Sequence, residues 1–410
     1  MLKIIQIPEA SKPYSLRIDK TPRCWLYSRF IFVHTKSRRL IRPEQGRGLP
    51  FRGSYSYHLP ALQVFPIMSE LVFVTGASGF LGAHIVTQLL ESGYRVRATA
   101  RGPKVVGLRN SYASFGDRFE AVVVDDIATD QFPDALKGVD AVIHSASPLP
   151  GAGTQEGILK GAVEGTMNTV RQVLKAGIKR LVFTSSMATI MNPRGSFTDQ
   201  DWNPITKEEA LSGDSLSAYG ASKTFAEREL WKFGGEHPEL DITTLAPPFL
   251  YGPLAASFSI PPTPNYTALS SDIQIYHLLS PTGVFPPVPF YADVRDMAKA
   301  HVLALRSPPT SSANRKRILF SSPYDLDFNA IVALIAEKRP ELRDRLIKTT
   351  PPTFTFNSAP IDFDRIQQVL GMGISDFTPV ENSILEAVDS ILTVERLWIA
   401  TGADISIPNA

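Results

Sequence analysis

Short apolar runs alternate with longer segments of helical periodicity from residue 71 onward, and this alternation restricts the fold more than any other feature of the sequence. We predict strands at Leu71–Val74, Arg95–Thr99, Ala121–Val124, Ala141–His144, Leu181–Thr184, Ile242–Leu245 and Ile318–Phe320. We predict helices at Leu81–Glu91, Gly157–Ala176, Leu216–Phe233, 326–338 and 379–396. Strands that alternate with helices form βαβ units, whose strands lie parallel and are covered on both faces. The pattern therefore predicts an α/β fold with a parallel sheet.

The first 68 residues differ in composition from the rest of the chain. They carry 12 basic and three acidic side chains, a net charge of +9, whereas the remainder carries −7 and the whole chain +2. The only cysteine, Cys24, lies in this segment, so a disulfide framework and a zinc site built from several thiolates are excluded. We expect residues 1–67 to be a disordered extension or to precede a true start at Met68.

The sequence of this basic segment also bears on membrane anchoring, on mitochondrial import and on binding to nucleic acid or lipid. It has no apolar run of about 18 residues, so we predict no membrane span there. We predict a cytoplasmic protein. The alternative is a mitochondrial protein with an import signal in residues 1–67, although the prolines of this segment interrupt a long amphipathic helix. Basic residues dispersed among prolines are more often solvated than bound to nucleic acid or lipid. We therefore predict no nucleic-acid and no membrane partner.

The first predicted strand runs directly into a glycine-rich turn, Thr75-Gly76-Ala77-Ser78-Gly79-Phe80-Leu81-Gly82, just ahead of the first helix. Glycines let the backbone approach a pyrophosphate, which the free N–H groups of a helix N-terminus then bind. The spacing is G-x-x-G-x-x-G and not the general G-x-G-x-x-G, so the turn alone is weak evidence. Its place between a strand and a helix favours a dinucleotide site.

The choice of cofactor is expected to depend on the end of the second strand. A carboxylate about 20 residues after the glycines normally holds the ribose 2′-OH of NAD, but no acidic residue lies between Glu91 and Asp117. Arg101 and Lys104 stand just past the predicted strand end, and guanidinium and ammonium groups suit a phosphate dianion. The sequence therefore favours NADP. Further candidates for cofactor contacts follow the third and fourth strands: Asp126 and Ile127 for the adenine, and Ala146 and Ser147 for the pyrophosphate.

The strongest candidates for catalysis are a tyrosine and a lysine four residues apart, Tyr219 and Lys223, at the start of a predicted helix. This spacing places them on one face. A phenol has an ordinary pKa of about 10, and we expect the nearby ammonium and an oxidised nicotinamide to lower it toward the range of general acid–base work. Ser186 follows the fifth strand, at the carboxyl edge where open α/β sheets bind ligands. A hydroxyl there can hydrogen-bond a substrate oxygen.

Several motifs together resemble a known family. TGASGFLG, VDDI, HSASP, FTSS, YGASK, PPFLYGP and YADVRDMAKAH occur in the order and at similar spacing to those of the extended short-chain dehydrogenase/reductases of the NAD(P)-dependent epimerase/dehydratase superfamily. RATARGPK, and FTSSMATI with ASKTFAERELWKF, further resemble the dihydroflavonol 4-reductase-like branch, which includes fungal ketone and aldehyde reductases. The resemblance covers roughly residues 70–400. It implies a Rossmann-type doubly wound parallel sheet with a smaller, mostly helical C-terminal substrate lobe.

The resemblance also implies a division of the chain and a set of roles. Residues 68–252, joined by the strand near 318–320, would bind NADP, and 253–410 would mainly bind substrate. Tyr219 would donate a proton to a carbonyl as hydride arrives, Lys223 would hold the nicotinamide ribose, and Ser186 would match the catalytic Ser/Thr. Pro248 and Leu250 would fix the carboxamide. The implied pyrophosphate contacts are Gly76, Gly79, Phe80, Leu81 and Gly82.

The function expected from this resemblance is the NADPH-dependent reduction of a ketone or aldehyde on a moderately apolar small molecule by a monomer or homodimer without a metal site. Three alternatives stay open. A sterol or steroid dehydrogenase would use the same reversible chemistry. A nucleotide-sugar epimerase or dehydratase shares the fold, although dehydratases usually place an acidic pair beside the catalytic Ser/Thr, where this chain has Met187 and Ala188. A redox-sensing regulator that binds dinucleotide typically lacks the tyrosine that is present here.

Overall fold

The computed structural model describes five stretches of the chain: 70–151, 153–192, 198–309, 315–354 and 361–407. The predicted extension, residues 1–67, lies outside them, as does Cys24. None of the helices in these stretches is long and apolar enough to span a membrane.

Within the described stretches the strands form two sheets, and every pair is parallel. The strands are β1 Leu71–Thr75, β2 Arg95–Ala100, β3 Phe119–Val123, β4 Ala141–His144, β5 Arg180–Thr184, β6 Asp241–Ala246, β7 Phe249–Tyr251, β8 Tyr291–Asp293 and β9 Lys316–Leu319. Seven strands form the main sheet in the order β3-β2-β1-β4-β5-β6-β9, and β7 pairs with β8. The predicted α/β class and parallel sheet are thereby confirmed.

Helices connect the strands and follow them. The α-helices are α1 Phe80–Glu91, α2 Lys104–Ser111, α3 Gln155–Lys175, α4 Lys207–Ser212, α5 Ser215–Glu236, α6 Ile273–His277, α7 Val294–Ala304, α8 Phe328–Lys338, α9 Phe363–Leu370 and α10 Val380–Ala400. Short 3₁₀ helices lie at Ala113–Arg118, Asp134–Leu136, Met187–Thr189, Tyr266–Asp272, Pro340–Arg345 and Ile374–Asp376.

The first strand shows why the sheet needs helices on both faces. Its five residues, LVFVT, are all buried, and successive side chains point to opposite faces. Val72 and Val74 pack in one core with residues of α1 and α7, whereas Leu71 and Phe73 pack in another with residues of α3 and α5. An apolar strand without alternation is therefore the expected sequence of a doubly covered sheet.

The strand order fixes the place of the site. The first strand, β1, lies in the middle of the sheet. From there the chain runs outward through β2 to β3 and returns to β4 on the other side of β1. Loops leaving β1 and β4 therefore diverge and leave a crevice at the carboxyl ends of the strands, where open α/β sheets bind ligands.

The stretch between Tyr251 and Tyr291 is rich in proline and contains no long helix, but it holds short elements that the sequence did not indicate. β7 and β8, of three residues each, bracket it, and α6 has five residues. Tyr251 and Tyr291 from this small sheet pack with side chains of α8 and α10 in a third core. The small sheet, α8 and α10 therefore share a core of their own, whereas α7 packs in the core of the main sheet.

Candidate active site

The glycine turn between β1 and α1 is tightly packed against its surroundings. Gly76 has φ +73°, and a Cβ there would lie 2.7 Å from the backbone N of Ala146, in the loop after β4. A Cβ on Gly82 would lie 2.0 Å from the carbonyl O of Gly76, and one on Gly79 would lie 3.2 Å from the same atom. Only glycine fits these close approaches. The turn thus forms a narrow backbone cradle that fits the pyrophosphate of a dinucleotide.

The first helical residues contribute differently from the glycines. The side chains of Phe80 and Leu81 are buried in the core around α1. Their predicted contact with a pyrophosphate can therefore involve only the backbone at the helix N-terminus.

Thr75 links the two loops of the crevice, a role that the sequence did not single out. Its Oγ1 lies 2.8 Å from Nδ1 of His144 and accepts a hydrogen bond of 3.2 Å from the backbone N–H of Ala146. Ala146 and the next residue, Ser147, are half-buried at the mouth of the crevice. The hydroxyl therefore fixes the predicted pyrophosphate-lining segment to the end of β1.

The cations of β2 and of the segment that follows it fall into two groups. Arg97 and Arg109 are bound within the fold: Arg97 Nε lies 2.7 Å from Glu120 Oε2, and Arg109 Nη2 donates to the carbonyl of Ala121 at 3.0 Å. Arg101 and Lys104 are exposed, and their side chains have no hydrogen-bond or ion-pair partner among the described residues. These two cations are available to bind a phosphate.

A carboxylate that the sequence did not single out shapes the turn that carries these cations. Asp125 Oδ1, after β3, accepts a hydrogen bond of 2.7 Å from the backbone N–H of Gly102. Asp130 Oδ2 in turn accepts from the backbone N–H groups of Asp125 and Asp126. The ends of β2 and β3 are thereby joined at the predicted 2′-phosphate position.

The predicted adenine contacts lie in the same region. Asp126 is exposed, and its carboxylate accepts from the backbone N–H of Ala128 and the hydroxyl of Thr129, both at 2.9 Å. Ile127 is half-buried and lies against α3 near Gly165. The Asp126 carboxylate therefore also has a structural task, and the adenine contact stays a prediction.

Ser186, Tyr219 and Lys223 come together at the carboxyl ends of β5 and the start of α5. Asp214 caps α5 by accepting from the backbone N–H of Ser217 at 2.7 Å, which starts the helix one turn before Tyr219. The Ser186 hydroxyl lies close enough to the Tyr219 phenol to lower its pKa. The predicted catalytic set is thus a spatial cluster, and its catalytic roles stay a prediction.

Lys223 is held by the protein itself. Its side chain is buried, Nζ donates to the carbonyl of Thr184 at 3.0 Å, and Nζ lies 5.7 Å from the centre of the Phe183 ring. Burial lowers the pKa of Lys223 to about 8, and the Glu227 carboxylate opposes this shift. The lysine therefore still carries its charge at neutral pH.

The protein environment by itself raises the pKa of Tyr219, and the lowering expected with an oxidised nicotinamide in place stays a prediction. Burial raises the pKa of Tyr219, and the Ser186 hydroxyl only partly offsets that rise. The Lys223 ammonium donates a hydrogen bond to the Thr184 carbonyl. Tyr219 is therefore protonated at neutral pH and is prepared to act as an acid.

The segment predicted to fix a carboxamide follows β6. Pro248 and Leu250 are half-buried. The backbone N–H of Leu250 donates to Ser271 Oγ at 3.0 Å, and its carbonyl accepts from the same hydroxyl at 2.7 Å. Since both backbone groups of Leu250 have a partner, the predicted contact rests chiefly on Pro248.

The parallel sheet, the glycine cradle and the Ser–Tyr–Lys cluster define an extended short-chain dehydrogenase/reductase. A model of the NAD dependent epimerase/dehydratase family matches residues 72–316, more than half of the chain. The chain belongs to this family, which confirms the resemblance in the sequence motifs.

Relatives of known name agree with this assignment. A putative NADPH-dependent methylglyoxal reductase of Candida albicans is 33% identical, over 79% of this chain and 99% of its own length. A ketoreductase of Aspergillus niger is 31% identical, over 79% of this chain and 98% of its own. The crystal structure of yeast methylglyoxal/isovaleraldehyde reductase Gre2 complexed with NADPH has a TM-score of 0.68 at 27% identity, covering 80% of this chain and 99% of that one.

Proposed function

We propose that this protein reduces a ketone or aldehyde on a moderately apolar small molecule with NADPH. The observation that carries the proposal is the cluster of Ser186, Tyr219 and Lys223 beside the glycine cradle at the carboxyl edge of the sheet. The names of the relatives support NADPH-dependent carbonyl reduction, as predicted from the sequence. The division into an NADP-binding part and a substrate lobe belongs to the same proposal.

NADPH, when bound, supplies the hydride that reduces the carbonyl carbon. Tyr219 donates its phenolic proton to the carbonyl oxygen, and its raised pKa keeps that proton in place at neutral pH. Ser186 donates a hydrogen bond to the same oxygen and so orients the carbonyl beside the phenol. The ammonium of Lys223, one helical turn from Tyr219, supplies positive charge on the side where negative charge develops.

Exposed apolar side chains near the site support an organic substrate rather than a nucleoside diphosphate. Leu149 follows β4 and Met191 follows the turn after Ser186, and both are exposed. A diphosphate would need cations at this mouth, whereas apolar walls favour an uncharged body around the carbonyl. We further propose a cytoplasmic protein that acts as a monomer or homodimer.

A panel of carbonyl compounds with both cofactors tests the proposal. The purified full-length protein is mixed with NADPH or NADH and with an α-oxoaldehyde, an aliphatic aldehyde, an aryl ketone, a ketosteroid or UDP-glucose. Cofactor oxidation is followed for the carbonyl compounds, the sugar products are analysed for UDP-glucose, and NADPH binding is measured by fluorescence. We expect oxidation of NADPH with at least one of the first three. Turnover of the steroid alone would favour the steroid dehydrogenase. Isomerisation of UDP-glucose would favour the epimerase, and NADPH binding without turnover of any compound would favour a regulator.

A further inference from the structure

A fully buried ion pair lies behind the proposed catalytic cluster. Glu227 on α5 and Arg317 on β9 are 0% and 1% exposed, and Arg317 Nε lies 3.1 Å from Glu227 Oε1. Burial raises the pKa of Glu227, but the positive charge of Arg317 and hydrogen bonds from Thr244, Arg317 and Ser185 outweigh it, so the pKa is lowered overall. Buried pairs of this kind contribute little net stability, because desolvation offsets their attraction.

The carboxylate of Glu227 joins α5 to the residue after β5 and to the middle of β6. Ser185 Oγ donates to Oε2 at 2.7 Å, and Thr244 Oγ1 donates to Oε1 at 2.6 Å. One turn earlier on the same helix face, Lys223 donates to the carbonyl of Thr184. Two successive residues, Thr184 and Ser185, are therefore tied to α5 immediately before Ser186.

The guanidinium of Arg317 holds the chain on the other side of Ser186. Nη2 donates to Thr189 Oγ1 at 2.9 Å, and Nη1 donates to the carbonyls of Asp199 and Asp201 at 2.9 and 2.6 Å. The Arg317 guanidinium also stacks on Trp202, 3.8 Å from the ring centre. The pair thus connects the turn after Ser186, the segment 198–203 and α5 through one buried centre.

Asn203, at the end of that segment, lies between the turn after Ser186 and the part of α5 that carries Tyr219. Its Nδ2 donates to the carbonyl of Ala188 at 3.0 Å, and its backbone N–H donates to the carbonyl of Thr189 at 2.7 Å. A Cβ on Gly220, the neighbour of Tyr219, would lie 3.5 Å from the same Nδ2. A shift of segment 198–203 would therefore displace both the Ser186 turn and the Tyr219 turn.

We propose that Glu227 and Arg317 are positioning residues of the reductase site, which set the separation of the Ser186 and Tyr219 hydroxyls and the placement of Lys223. The inference rests on the proposed function, because it assigns these residues a purpose through the catalytic set. Misplacement of reacting groups by about 1 Å can cost about a hundredfold in rate. The pair is thus expected to affect turnover more than cofactor binding.

Glu227 has a second, electrostatic effect on Lys223. The charged or titratable groups that face this part of the site are Glu227, Arg317, His144 and His301. Burial lowers the pKa of His144 to about 3 and that of His301 to about 4, so both imidazoles are neutral at neutral pH. Glu227 is therefore the negative charge that keeps Lys223 protonated, and its loss would lower the pKa of Lys223.

The test compares two neighbouring buried cations on β9. Lys316 is 1% exposed and pairs with Asp241 at 2.7 Å, away from the catalytic turn. We expect Arg317→Met to lower kcat about a hundredfold while the KM for NADPH changes less than about threefold, and Arg317→Lys to recover part of the loss. Lys316→Met should leave kcat within about twofold of the wild type, at a similar loss of thermal stability.

Two milder variants keep the test valid if Arg317→Met does not fold. Glu227→Gln retains the shape of the side chain, and we expect the alkaline limb of its kcat profile to move to lower pH by about one unit, a shift that a merely structural role would not produce. Asn203→Ala should lower kcat about tenfold with KM for NADPH unchanged. An unmoved limb in Glu227→Gln, or equal kcat losses in Arg317→Met and Lys316→Met, would overturn the inference.

The proposed function is checked separately in the same series. If Tyr219→Phe keeps wild-type turnover, Tyr219 is not the acid, and the positioning role proposed for Glu227 and Arg317 fails with it. If Tyr219→Phe is inactive but the Glu227, Arg317 and Asn203 variants retain normal kcat and normal pH profiles, the function stands and only the positioning inference fails.

Discussion

Two pairs of cations in this protein differ in burial and in their contacts with the rest of the chain. Lys223 and Arg317 are buried, and every charge-bearing contact that they make is to the protein: a carbonyl, a carboxylate or a hydroxyl. Arg101 and Lys104 are exposed and have no side-chain partner in the described part of the chain. The first pair is therefore fixed before any ligand arrives, whereas the second pair can form its charged contacts only with a ligand.

This difference separates catalysis from cofactor choice. Fixed charges in a water-excluded site act on the transition state without reorganisation, so the buried pair should govern turnover. Exposed charges contribute through attraction to a dianion, and solvent and salt weaken that attraction. Substitutions of the buried pair should therefore change kcat. Substitutions in the 101–104 turn should change the affinity for the cofactor and the preference between NADPH and NADH.

Removing the proposed acid should produce the largest effect. We expect Tyr219→Phe to lower kcat by about 10²–10⁴-fold, because general acid catalysis contributes about that much. Cofactor affinity should change little, since the phenol is not expected to bind the phosphates. Steady-state kinetics together with NADPH titration by fluorescence checks both points. A large loss of NADPH affinity with unchanged kcat would contradict the separation.

Removing the exposed cations should change preference between cofactors. The double variant Arg101→Ala, Lys104→Ala should lower the NADPH-to-NADH ratio of kcat/KM by about tenfold to a hundredfold, because charge-assisted hydrogen bonds contribute about 1.5–3 kcal/mol before screening. The kcat at saturating NADPH should stay near the wild-type value. Arg109→Ala is the matched control, because its guanidinium is bound to the Ala121 carbonyl. An equal change of preference in this control would locate the 2′-phosphate site elsewhere.

The buried lysine should set the alkaline limit of activity. Its pKa, lowered by burial to about 8, means that Lys223 is charged below that pH and loses its proton above it. We expect kcat to fall by up to about tenfold per unit as the pH rises past about 8. Tyr219 does not explain such a limb, because its pKa is raised. A kcat profile of Lys223→Arg, which keeps its charge at alkaline pH, should lack the limb even if its kcat is low.

Salt should distinguish the two regions by the smallest effect. Raising the ionic strength from about 0.05 to about 0.5 M shortens the Debye length several-fold, so we expect KM for NADPH to rise a few-fold through the exposed cations. The kcat should not follow, because buried pairs are screened much less. The double variant Arg101→Ala, Lys104→Ala should show a flatter salt dependence of KM. A steep salt dependence of kcat would contradict the distinction between the regions.

Much of the fold follows from local sequence. All seven strands of the main sheet are predicted within about two residues of their observed bounds. Short apolar runs rich in β-branched residues, when they lie between helical segments, are typical of buried strands. Several elements were missed. β7 and β8 have three residues each and α2 has eight, which is too few for a periodic pattern to show. α7 was missed although it has 11 residues, as many as the predicted α8.

The sequence by itself determined the parallel sheet, the glycine turn and the identity of the Ser–Tyr–Lys candidates, because these depend on local pattern and on motif. Only the tertiary structure showed that Arg97 and Arg109 are bound within the fold and that burial raises the pKa of Tyr219. It also joined Glu227 to Arg317 across 90 positions. Burial and long-range contacts decide pairing and pKa, and neither is encoded in the spacing of neighbouring residues.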